Sequence, residues 1–341
     1  MKRDLAFKAS IFSLVIAFAN PSGPALAWGD SGHRWIGEAA IAALPKGLPS
    51  FLYSQIAIHD VGDYSREPDI WRKSGLVHDS DRDPAHYIKL NDEGATLAGD
   101  SLDHLPATRS KYEASLRAKG VDPAETGYLP YSIIDAFEQV SKDFALVRVI
   151  KLAMTEEKQS GRRAWLQGAY RRRCDMTLRD IGILSHFVGD STQPMHLSIH
   201  YDGWGPYPNP EGYTTAAIHW PIEANFVRLH IMPAAIRAHM KALFVCPQAV
   251  EVCVSQRLTR NFQALVPLYQ LEKDGGFRPD DPRGGPFLTG LIAQGASDLR
   301  DMIVEAWDRS DKVAIDFSQH SYLDAKSGTI KDLYALIYGD S

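Results

Sequence analysis

Apolar residues recur at helical rather than alternating spacing along most of this chain. Ile133, Phe137, Val140, Phe144 and Val147 step by four and three, which marks one core-facing stripe of a long helix. Trp165, Ala169, Met176, Ile183 and Phe187 predict a second helix over 163–189. Ser31 is placed to cap a helix that runs through Leu44, with Pro45 ending it. Further helices are predicted over 222–245, with a kink at Pro233, and over 254–272, 286–308 and 328–338. Residues 64–107 are rich in Asp, Pro and Gly, and residues 201–215 mix Gly and Pro with Trp204, Tyr207 and Tyr213; both stretches read as irregular. No stretch sustains a period of two, no repeat is visible and no linker divides the chain. The pattern predicts an all-α protein, one helical domain over 28–341 with long loops.

The first 27 residues fall outside this pattern. Lys2, Arg3 and Lys8 precede an apolar run over 9–19, and Ala25-Leu26-Ala27 offers a small-x-small cleavage site. This is the layout of a secretory signal peptide, so residues 1–27 are expected to be removed and the protein to be periplasmic or secreted. Cleavage there leaves Trp28 as the new N-terminus. An α-amine and the carbonyl of the same residue form a chelating pair, and His33 follows closely. The net charge is −5, and loss of three cations and one anion with residues 1–27 takes it to −7. Such a balance argues against a basic stripe that grips duplex DNA. No later apolar run is long enough to span a bilayer. Of three cysteines, Cys246 and Cys253 are close enough to pair in an oxidising compartment, and Cys174 reads as a buried thiol.

The densest chemistry lies in His186-Phe-Val-Gly-Asp190-Ser-Thr-Gln-Pro-Met-His196. His186 and Asp190 share one face of a helix end, and Pro194 lets the chain turn His196 back toward them. Imidazole and carboxylate are ligands that Zn²⁺ accepts, although a buried His–Asp hydrogen bond is the simpler reading of the first pair alone. His219 and Glu223 repeat the spacing of four, with Pro221 acceptable only in a first helical turn. His230 reads as core or surface. Arg171-Arg172-Arg173 reads as a solvated helix face. Asp79, Asp81 and Asp83 lack the Gly and Glu of a calcium loop. No nucleophile elbow, phosphate loop or dinucleotide fingerprint occurs.

Taken in order, a signal cut before Trp28, Trp28-Gly-x-x-Gly-His33, His186-x3-Asp190-x5-His196 and His219-x3-Glu223 resemble the three-zinc single-strand-specific nucleases and 3'-nucleotidases. That family belongs to the superfamily that also holds zinc phospholipase C. The resemblance implies a helical fold with three Zn²⁺ ions at the bottom of a cleft. It assigns Asp69 (with Asp63 as the alternative), His86, His186 and Asp190 to one ion. Trp28, His33 and the same Asp190 would take a second, and His196, His219 and Glu223 the third. It further implies attack on phosphorus by a zinc-bound hydroxide, with single-stranded DNA or RNA cleaved to 5'-nucleotides and 3'-phosphates also removed. Tyr87 stands where the family stacks an aromatic ring on a base. Two residues depart from the nuclease pattern. Glu223 replaces the usual Asp, as in the phospholipases, and Lys89 stands where many of these nucleases carry Asp, from which it could contact phosphate. The expectation is a monomeric exported enzyme with no stable protein partner. Zinc phospholipase C is the alternative enzyme, and a non-catalytic zinc-binding protein the alternative of another class.

Overall fold

The computed structural model describes residues 28–72 and 74–339, so the expected signal peptide lies outside the described residues. The architecture is almost wholly helical, and β-structure among the described residues is limited to isolated bridges such as Leu90 with Ser198. The helices that build the main core are α1 (Gly29–Ala42), α2 (Gln55–Tyr64), α3 (Leu129–Glu156), α4 (Ser160–Asp190), α5 (Val250–Phe262), α6 (Leu265–Lys273) and α7 (Gly284–Arg309). No helix among the described residues is long and apolar enough to cross a membrane.

The hairpin of α3 and α4 is the spine. Pro130 occupies the first turn of α3, where its missing N–H costs nothing, and the predicted stripe from Ile133 to Val147 is buried throughout. At about 1.5–3 kcal/mol for each fully buried large apolar side chain, this stripe is a major source of stability. Its residues from Ile133 to Phe144 pack with Leu184 and Val188 of α4, Ile36 of α1, Val61 of α2 and Leu299 of α7 in one core. Gly182 of α4 lets the end of α2 approach, since a Cβ there would lie 2.4 Å from Tyr64 Cβ. A second cluster joins Leu166 to the C-terminal helices, and a third gathers Tyr112, Tyr128 and Tyr131.

Several predicted boundaries are corrected. The first helix begins at Gly29, so Ser31 lies inside it and does not cap it. The region 64–107 is not loop throughout: helices Glu67–Ile70 and Leu76–Arg82 and a 3₁₀ turn at Asp83–His86 interrupt it. The helix over 222–245 breaks rather than kinks. Ile231 and Met232 are extended, and Pro233 opens a new helix that ends at His239. A residue before proline is driven out of the helical region, which explains the stop. Over 254–272 two helices meet at Gln263-Ala264. Pro267 cannot donate to the carbonyl four residues earlier, a break the apolar pattern does not show. The last predicted helix is shorter, Leu333–Tyr338, and a short helix that was not predicted, Tyr322–Lys326, precedes it. Cys246 and Cys253 form a disulfide. Cys174 is a buried free thiol, pushed up to about 11 by burial.

Candidate metal centre

The C-terminal end of α4 carries His186 and Asp190 into the core, both fully buried. His186 Nδ1 lies 2.8 Å from the Ser65 carbonyl. A carbonyl only accepts, so Nδ1 holds the proton and Nε2 presents its lone pair inward. His86 arrives from the Asp83–His86 turn, with its Nδ1 2.9 Å from His186 Nε2 and 3.1 Å from Asp190 Oδ2. From α1, His33 stacks on His186 at 4.0 Å between ring centroids, and its Nε2 is 3.4 Å from Asp190 Oδ1. Gly189 makes this approach possible, because a Cβ there would lie 2.9 Å from His33 Nδ1. Asp69 Oδ1 closes the group, 3.9 Å from His86 Nδ1, and is itself paired with Arg72 at 3.2 Å. Arg72 also bonds Asp83 at 2.8 Å, a tie that sequence reading did not single out. Asp63, the alternative to Asp69, is 54% exposed and paired with Arg34 and Arg66, outside the cluster.

A neighbouring group is built from His196, His219 and Glu223. The chain over 86–90 runs beside 196–199, with Ile88 N–H donating to the His196 carbonyl at 2.9 Å. His196 Nδ1 donates to the His86 carbonyl at 2.6 Å, which leaves Nε2 free for a ligand role. His219 and Glu223 sit on a helix whose turn from Pro221 to Phe226 is π-helical. Their Nε2 and Oε2 atoms are 2.7 Å apart, yet not in hydrogen-bond geometry. Gln193 donates weakly to the same Oε2 at 3.4 Å, and Asp202 accepts from the His219 backbone N–H at 2.9 Å.

Three sets of donor atoms therefore converge: His33, His186 and Asp190; Asp69, His86 and His186; and His196, His219 and Glu223. In each set the ligand atoms lie within 4.8 Å of one another, close enough to hold a metal ion. The fit has an independent sign. Both nitrogens of His33 and His219, His196 Nε2, Asp190 Oδ1 and Glu223 Oε1 are buried with no hydrogen-bond partner. Each such orphan costs about 1–3 kcal/mol unless something satisfies it. A mixed imidazole–carboxylate donor set suits Zn²⁺. Grouping His33 with His186 differs from the expected partition, in which they served separate ions; the stacked rings bring both to Asp190.

Electrostatics prepare the ligands. Burial pushes His186 well below its ordinary range and His196 down to about 3, so both are neutral at pH 7. Burial alone raises the Asp190 carboxyl, but His186, His33 and His86 outweigh it and hold it well below the carboxylate range. For His33 and His219, burial lowers the imidazole, and Asp190 and Glu223 respectively reverse the direction. Asp69 and Glu223 are both raised by burial.

Trp28 is fully buried, and its Nε1 donates to the Gly189 carbonyl at 2.9 Å, one residue from Asp190. Its φ of 53° is an unusual left-handed conformation for a bulky residue. Gly29 packs within 3.2–3.5 Å of Ala224 and the Glu223 carbonyl, as measured from its ideal Cβ, so the Trp28 end of α1 lies against the Glu223 turn. The free amine expected at Trp28 depends on cleavage outside the described residues.

Tyr87 and Lys89 alternate with buried His86, Ile88 and Leu90 and are half-buried. Tyr87 gives its hydroxyl to the Ala124 carbonyl at 2.8 Å, and burial pushes that phenol up to about 12. Lys89 Nζ lies over both Tyr87, at 5.3 Å, and Tyr201, at 4.9 Å; Tyr201 is a neighbour the sequence did not single out. In the 201–215 loop, Trp204 and Tyr213 pack against Tyr269, and Trp204 stacks on His200 at 3.7 Å. His230 stacks on Phe226 away from the ligand sets.

Fold and site together define an all-helical protein with three buried His/carboxylate groups able to hold metal. Compared with family models, curated proteins and solved structures, the chain finds no match in any of the three.

Proposed function

We propose that this protein is an exported, zinc-dependent phosphodiesterase of the three-zinc nuclease and 3'-nucleotidase type, acting on single-stranded nucleic acid. The observation that carries the reading is the convergence of eight sequence-distant residues into three adjoining ligand sets, rich in buried atoms that lack any other partner. Zinc held there supplies Lewis acidity and a water of lowered pKa. The chain's own part is preorganisation. The Ser65 and His86 carbonyls fix the protons of His186 and His196 on Nδ1, so neither ring must reorient to offer Nε2. Asp190, held ionised, offers a carboxylate oxygen to each of His33 and His86. Arg72 pins Asp69 in place and brings a cation to the edge of the cluster. Tyr87, Lys89 and the half-exposed Tyr201 place aromatic faces and one ammonium beside the segment that follows His86, where an unpaired base and a phosphate have matching partners.

The test is metal content and substrate range of the signal-cleaved protein. Three zincs per chain and chelator-sensitive cleavage of single-stranded over duplex DNA are expected. Hydrolysis of phosphatidylcholine with no action on DNA would replace this reading with the phospholipase one. Three zincs with neither activity would leave a binding protein.

A further inference from the structure

A cavity of about 480 Å³ lies between the chain at Gly47–Ser50, the C-terminal third of α3 and the end of α7. Its size is in the range of small-ligand pockets, roughly 300–1,000 Å³. Arg148 and Lys151, one turn apart on α3, both line it. Arg148 is half-buried and fixed: Nε donates to Ser310 Oγ at 2.7 Å, Nη2 donates to the Trp307 carbonyl at 2.9 Å, and the guanidinium stacks on the Trp307 ring at 3.4 Å. Among the described residues, no carboxylate lies within 4.0 Å of either cation. Asp308 and Asp311 act on Arg148 only from farther away. The lining contains no acidic residue, although acids outnumber bases in the chain, 42 to 37.

Two like charges one helical turn apart repel, and a half-buried guanidinium with no carboxylate in contact keeps a desolvation cost that its neutral acceptors and distant carboxylates offset only in part. An anion between them removes both penalties, and the guanidinium fork suits phosphate oxygens. The rest of the lining suits an organic phosphate better than a bare ion, with the rings of Tyr170 and Tyr322 and an apolar wall from Leu48 and Leu152.

We propose that this cavity is a second ligand site that takes a nucleoside 5'-monophosphate, with the phosphate between Arg148 and Lys151 and the base against Tyr170 and Tyr322. The anion subsite stands on the cavity alone; the choice of a nucleotide rests on the function proposed above, whose products are 5'-nucleotides. The site is remote from the metal centre. Tyr170 precedes His186 by 16 residues on α4, roughly 24 Å along the helix axis at 1.5 Å per residue.

Photolabelling of the metal-loaded protein with 8-azido-AMP, followed by peptide mapping, tests this without requiring turnover. Saturable label is expected on the peptides holding Tyr170 or Tyr322. It should be at least tenfold weaker in Lys151→Glu, an exposed position whose change leaves Tm unaltered, and undiminished in Lys89→Glu. AMP should displace the label at least tenfold better than inorganic phosphate. Absence of label from both peptides, wild-type labelling of Lys151→Glu, or equal displacement by phosphate would overturn the proposal. Labelling here in a protein that cleaves no nucleic acid would sink the proposed activity and leave this site standing.

Discussion

The same pattern, His-x3-acid, holds two parts of the candidate centre, and the two copies stand on different scaffolds. His186 and Asp190 end a 31-residue helix whose whole last turn is buried. His219 and Glu223 straddle the start of a six-residue π-helical turn, Pro221–Phe226, in a helix that stops four residues later at His230. On the regular helix the paired atoms are 3.4 Å apart; across the π turn they are 2.7 Å apart. The longer Glu side chain and the altered turn bring the second pair into closer contact. Dependence on neighbours differs too. Asp190 meets three imidazoles, from α1, the Asp83–His86 turn and α4, whereas Glu223 meets His219 and a long contact from Gln193. The lesson is that one spacing serves as a hub where the backbone is rigid and as a side branch where it is irregular.

That contrast predicts unequal losses. Asp190→Ala should be the most damaging change, because it removes a ligand atom shared by the clustered imidazoles. Zinc should fall to one per chain or fewer, with activity down by about 10³-fold or more, given how strongly metal sites contribute to such catalysis. Atomic absorption on purified protein checks it, and retention of three zincs would break the hub picture. Glu223→Ala should cost less: one zinc lost, two kept, and activity lower by on the order of 10²-fold, comparable with loss of one strong electrostatic contact. Equal zinc loss in both variants would make the two groups one cooperative unit.

A smaller effect is expected at the junction between the groups. A chain that begins with a retained Met before Trp28 has no free amine on Trp28. We predict weaker zinc retention at competing chelator, by about 10–100-fold, the scale of an altered supporting contact. Unchanged retention would remove Trp28 from the ligand set and leave its buried indole as an anchor only.

The smallest effect concerns the rigid scaffold itself. Asp143 of α3 is buried beside Asp180 and Arg173 of α4; burial first, then Asp180, push its carboxyl up to about 7, with Arg173 opposing. The folded state therefore holds a proton that the unfolded chain releases near pH 4. This stabilisation is complete below about pH 4 and is lost as pH rises through about 7. Between pH 5 and 8 the protein should lose stability from this group, and Asp143→Asn should flatten the slope. Urea midpoints at the two pH values measure it; a variant as pH-sensitive as the parent would exclude Asp143 as the cause.

Much of the scaffold was legible because long amphipathic helices repeat their signal. The stripe from Ile133 to Val147 and the helix predicted over 163–189 follow from spacing alone. Proline effects are harder to read. Pro233 reads as a kink where the helix breaks, and Pro267 leaves no mark, since the apolar pattern continues across a missing N–H. For the candidate site, His186, Asp190, His196, His219 and Glu223 announce themselves by local spacing. Arg72, Tyr201 and Gln193 do not, because each matters only through a neighbour distant in sequence.

By itself the chain determined the helical class, the two patterned pairs and the disulfide-forming cysteines, all properties of residues close in sequence. Only the tertiary structure places Asp69, and not Asp63, beside His86 and His186, since both lie on the same short stretch and differ in whether they face the core or Arg34. It also brought His33 over His186, through a glycine at 189 that permits contact. Those outcomes depend on which backbones can approach, and that is decided by packing across 100 residues or more of separation.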